Sequence, residues 1–132
     1  MIPVSDDKER NKISKKMWKV VLEEIEKQKH CEEEFIVLGD FNAFDEEDSY
    51  NRENLLSLQR KMIDVTYEVY GEETKTYFHE GHKERKLDYI FVDRSTVFAK
   101  EIIPEVDKRS VEDKISDHAI VACEISESIT FE

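Results

Sequence analysis

The sequence has no run of about 18 or more apolar residues, so it contains no segment able to cross a bilayer as a helix. Met1 to Arg10 also lack the apolar stretch of a secretory signal. From these two absences a cytoplasmic protein is expected. Cysteine is scarce: Cys31 and Cys123 stand far apart, with no CxxC and no neighbouring histidine pattern that a zinc site needs. Both are expected to be reduced thiols, Cys123 in a strand, and His30 beside Cys31 reads as a solvated helix end. With 3 glycines and 2 prolines there is no linker, and no repeat or low-complexity tract is present. Cations are outnumbered, 20 Lys+Arg against 32 Asp+Glu for a net charge of -12, which argues against broad nonspecific adhesion to nucleic acid. An acidic chain can still bind a phosphate substrate when its carboxylates hold a divalent cation.

What remains is enough for one core. A chain of 132 residues with 39% hydrophobic content fits a single domain spanning 1–132 and leaves no room for a second. Asp6 or Asp7 can cap a helix whose apolar stripe is Ile13, Met17, Val21 and Ile25, widened by Val20 and Leu22. Phe35 to Leu38 is a short apolar run stopped by Gly39, read as a strand buried on both faces. Leu55, Leu56, Leu58 and Met62 predict a second helix, and Val65 to Tyr70 a further turn of helix that Gly71 breaks. Strands are expected over 76–79, 87–92, 97–103 and 119–125, punctuated by Gly81 and Pro104. The order helix, strand, helix, strands makes one α/β (α+β) unit.

Three short segments carry chemistry. Gly39-Asp40-Phe41-Asn42 closes the first strand, where a rigid sheet fixes the position of loop groups. In extended chain Asp40 and Asn42 share a side and Phe41 faces the core. Asp40 offers a base or a metal ligand, and Asn42 a neutral donor for a phosphoryl oxygen; a simple Asx turn is the bland alternative. Asp88 sits inside the apolar strand Leu87 to Val92, where a buried carboxylate needs a partner. An imidazole is the attractive one. Ser116-Asp117-His118 lies at the mouth of the last strand, with one side chain able to reach a metal while the other reaches a phosphate or Asp88. His79 and His82 read as an exposed hairpin loop without matching ligands, and Lys83, Arg85 and Lys86 as solvated cations or phosphate contacts.

Taken in order, V-L-G-D-F-N, L-D-Y-I-F-V and S-D-H-A-I-V resemble the three C-terminal signatures of the endonuclease/exonuclease/phosphatase superfamily, over Ile36 to Ile125. The resemblance implies divalent-metal-dependent hydrolysis of phosphoesters by in-line attack of water, with nucleic acid, a phosphorylated small molecule or a lipid head group as substrate. By the same resemblance Asp40 aligns or deprotonates the water, Asn42 holds a phosphate oxygen, His118 stabilises the transition state and Asp88 orients His118. Asp117 and Asp40 lie at the metal, Mg2+ or Mn2+. It further implies half of a four-layer αββα sandwich, one mixed β-sheet with helices on one face. The N-terminal half, with its Asn strand and metal-binding Glu, has no counterpart here, so the chain alone is expected to be catalytically incomplete. The alternative is a noncatalytic half-fold remnant or association module. A sheet covered on one face leaves an apolar patch above roughly 600 Å², which is rare in a monomer. A homodimer or a separate N-terminal half is therefore the expected partner.

Overall fold

A computed structural model describes residues 7–29, 34–44 and 51–127. Cys31, His30 and Asp6, to which expectations were attached above, lie outside these residues. The elements run α1 (Asp7–Lys29), β1 (Ile36–Asp40), α2 (Arg52–Lys61), β2 (Ile63–Asp64), α3 (Val65–Tyr70), β3 (Asp88–Val92), α4 (Arg94–Ala99), β4 (Lys100–Asp107), α5 (Arg109–Glu112) and β5 (Ile120–Glu127). Helices and strands are mixed, as the α/β reading expected.

The single mixed sheet is not what forms. Among the described residues there are two sheets, a three-stranded one in the order β1-β3-β2 and a two-stranded one of β4 and β5, and the strand pairings in both are antiparallel. The reason lies in β3, whose side chains alternate between two cores. Tyr89 and Phe91 pack with Trp18, Ile25, Leu55, Leu58 and Met62 from α1 and the α2 region. Ile90 and Val92 pack instead with Val65 and, from the β4–β5 pair, Ile102, Val121, Cys123 and Ile125. The face expected to be bare is thus covered over β3 by the chain's own hairpin. Burial of each large apolar side chain in these clusters contributes about 1.5–3 kcal/mol.

Several boundaries shift for related reasons. On α1 the buried line is Trp18, Val21, Leu22 and Ile25, whereas Met17 and Val20 face solvent. Trp18 brings the larger apolar surface and turns the helix toward Phe41, its ring 5.5 Å away. Strand β1 is an edge strand, and Ile36 and Leu38 are 48% and 66% exposed rather than buried on both faces. Ile120 and Ala122, on the outward side of β5, are likewise exposed. Residues 76–79 make only an isolated bridge at Tyr77 instead of a strand. Residues 94–99 form α4, because the Asp93 carboxylate caps it by accepting from Thr96 N at 3.0 Å, so β4 starts at Lys100. Pro104 lies within β4, which has one open edge where the missing N–H is tolerated. Gly71 ends α3 in the left-handed conformation, as expected.

Lys86 is no surface cation. Its ammonium is buried and lies 2.5 Å from Asp64 Oδ2, 3.5 Å from Glu73 Oε2 and 4.9 Å from the Tyr89 ring. This ties the approach to β3 onto the cap of α3, where Asp64 also accepts from Thr66 Oγ1 and Tyr67 N. Removing one member of a buried pair leaves the other uncompensated. Lys86→Met is expected to cost about 3–5 kcal/mol in urea denaturation; a loss below about 1 kcal/mol shows that Asp64 finds solvent in its place.

Candidate active site

The three signature segments end at one place because two of them are register partners. In the β1–β3 ladder Asp40 is directly opposite Asp88. Gly39, at φ +147, holds a backbone conformation that side-chain-bearing residues rarely adopt, immediately before Asp40. Phe41 then turns inward onto Trp18, Tyr89 and Phe91, with ring centroids 5.5–5.8 Å apart. That anchoring matches the sequence expectation.

His118 arrives through a short strap. Tyr77 bridges to both Arg85 and His118, while Phe78 N donates to Asp117 O at 2.8 Å and Ala119 N to Thr76 O at 2.7 Å. Thr76 is the joint of this strap: its buried Oγ1 accepts from Leu87 N at 3.0 Å and Asp88 N at 3.1 Å. One residue thereby fixes the start of β3 and the start of β5 together. Sequence reasoning passed over it, since a threonine in a strand-like stretch carries no separate signal.

The side chains meet as follows. His118 Nδ1 is 2.8 Å from Asp88 Oδ2, and its Nε2 is 3.8 Å from Asp40 Oδ2. The expected Asp88–His118 pair is therefore present. A carboxylate only accepts, so Nδ1 carries a proton and donates it to Asp88, which leaves Nε2 facing Asp40. Asp40 is raised above the usual carboxylate range, first by loss of solvent and then by the like charge of Asp88, against lowering by the Asn42 N–H and by His118.

Asn42 departs from the extended geometry expected of it. Its φ is +49, and its backbone N–H donates to Asp40 Oδ1 at 2.9 Å, the Asx turn that was the bland alternative. Its carbonyl accepts from buried Asn51 Nδ2 at 3.1 Å, and Asn51 Oδ1 accepts from Ser14 Oγ at 2.9 Å. Asn51 is a second positioning residue that the sequence did not reveal. Asp117 points elsewhere, bonded through Oδ2 to His79 Nδ1 at 2.8 Å.

Asp40, Asp88 and His118 each offer a ligand atom, all within 4.8 Å of one another, and they form the one such group among the described residues. Two carboxylates and an imidazole suit Mn2+, and the carboxylates suit Mg2+. The three donors are reached from the end of β1, the start of β3 and the approach to β5. The sequence matches the profile of the Endonuclease/Exonuclease/phosphatase family over residues 9–118 of 132, and the chain belongs to that family. Comparison with curated proteins and with solved structures gave no match.

The site rests on Thr76, and this is measurable. Thr76→Val keeps the shape but strands two buried amides, so it is expected to cost about 2 kcal/mol or more of stability in chemical denaturation. A change within about 0.5 kcal/mol shows that Leu87 and Asp88 are held without it.

Proposed function

We propose that the chain carries the water-activating part of a divalent-metal-dependent phosphoesterase using Mg2+ or Mn2+. The observation that carries this reading is the convergence of Asp40, Asp88 and His118 within 4.8 Å in a chain of this family. Asp40 aligns the attacking water and takes its proton. His118, fixed by Asp88, stabilises the charge that develops on the phosphoryl group. Asn42 contacts a phosphate oxygen. Asp40 would hold the cation, which would supply neutralisation of the charge developing on the phosphoryl group. With Asp40 assigned to proton transfer and His118 to charge stabilisation, direct attack by water is the route proposed.

The acidic balance of -12 favours a small phosphorylated molecule or lipid head group over nucleic acid. Hydrolysis of aryl phosphate mono- and diesters is expected to require Mg2+ or Mn2+ and to stop with chelator. Asp40→Asn and His118→Ala are each expected to lower the rate by about 100-fold or more. Undiminished turnover in either variant removes its residue from the assigned role.

The chain is proposed to associate with a second copy or a separate N-terminal half. Supporting this is the strip of Ile36 and Leu38 on the open edge strand, exposed on the side that Val92 and Ile90 share. Light scattering at tens of micromolar is expected to show association, and Leu38→Lys to reduce it. A wild-type monomer at that concentration contradicts the assembly.

A further inference from the structure

We propose that His79 and His82 form a second metal site, distinct from the Asp40 group, that takes a late first-row divalent ion such as Zn2+ or Ni2+ and has Asp117 as its outer partner. The turn 79–82 is closed by His82 N donating to His79 O at 3.0 Å, with Gly81 at φ +80, a conformation that glycine supplies at little cost. It brings the two imidazoles to 4.7 Å between ring centroids. Two imidazoles bound to one tetrahedral ion, each nitrogen at about 2.0–2.1 Å, have centroids about 5 Å apart, so the rings need little adjustment.

Asp117 supplies the independent support. Its carboxylate accepts from His79 Nδ1 at 2.8 Å, which fixes the tautomer and leaves Nε2 as a lone pair. A carboxylate on the far nitrogen of a ligating imidazole is the usual means of orienting it and raising its basicity. The base of the arrangement is stiff. His79 stacks on Tyr77 at 16° between planes, and the Tyr77 backbone is bridged to Arg85 and His118. Imidazole pairs select Zn2+, Ni2+ and Cu2+, whereas Mg2+ demands oxygen, so the two sites of the chain sort metals by ligand type. With two protein ligands, water completes the shell and the ion exchanges readily. An ion here pins the turn beside Asp117 and so beside His118. The carboxylate that orients His79 comes from 38 residues away in sequence.

The inference does not rest on phosphoester hydrolysis, and its test uses no activity. Nickel is titrated calorimetrically into the full chain carrying His30→Gln, which leaves His79, His82 and His118 as the imidazoles. One Ni2+ per chain is expected at this pair, counted in the Asp40→Asn, Asp88→Asn background so that the Asp40 group does not contribute. His82→Ala and His79→Ala, both at exposed positions, are expected to abolish stoichiometric uptake, and Asp117→Asn to weaken it by about 10-fold or more. The combined Asp40→Asn and Asp88→Asn variant is expected to bind Ni2+ as before, with circular dichroism confirming that each variant is folded. The proposal is overturned by no Ni2+ uptake in the parent chain, by undiminished affinity in His82→Ala, or by loss of uptake in the Asp40 and Asp88 variant instead.

Discussion

Strand β3 is hydrogen-bonded along both edges and packed on both faces, and the other elements take their places from it. Its edges accept β1 and β2, and its faces separate the helices, met by Tyr89 and Phe91, from the hairpin, met by Ile90 and Val92. The first residue of that strand is Asp88. A carboxylate at the end of so constrained an element has little freedom, and its partner must come to it.

Two carboxylates facing each other across a ladder repel, and this pair stands at the point where β1 leaves the sheet. The repulsion is offset in two ways. Asp40 receives the Asn42 amide in a tight turn, and His118 stands between the carboxylates with one nitrogen toward each. Asp40 is left with raised proton affinity, the residue of an arrangement that is only partly compensated. Binding a cation among these groups relieves it, which couples the local cost to the proposed activity.

Much of this was legible in the sequence where local pattern and chemistry agreed. Asp88 in an apolar strand demanded a partner, and His118 is that partner; Phe41 was expected in the core, and its ring lies among Trp18, Tyr89 and Phe91. Failures came where tertiary placement decides. Nothing in Phe35 to Leu38 says that β1 lies at an edge, and nothing in Lys86 says that Asp64 buries it. Thr76 and Asn51 act through single hydrogen bonds to distant backbone, which leave no periodic trace. Asn42 followed the local rule of the Asx turn over the extended geometry that its function suggested.

The account stands on Asp88 fixing the tautomer of His118, because that leaves Nε2 facing Asp40 and the phosphate position. Long-range proton–nitrogen correlation NMR of the labelled chain at about pH 8, above the ordinary imidazole range, reads this directly. The predicted result is a protonated Nδ1 on His118, with the preference lost in Asp88→Asn. A His118 ring bare at Nδ1 in the unsubstituted chain contradicts it.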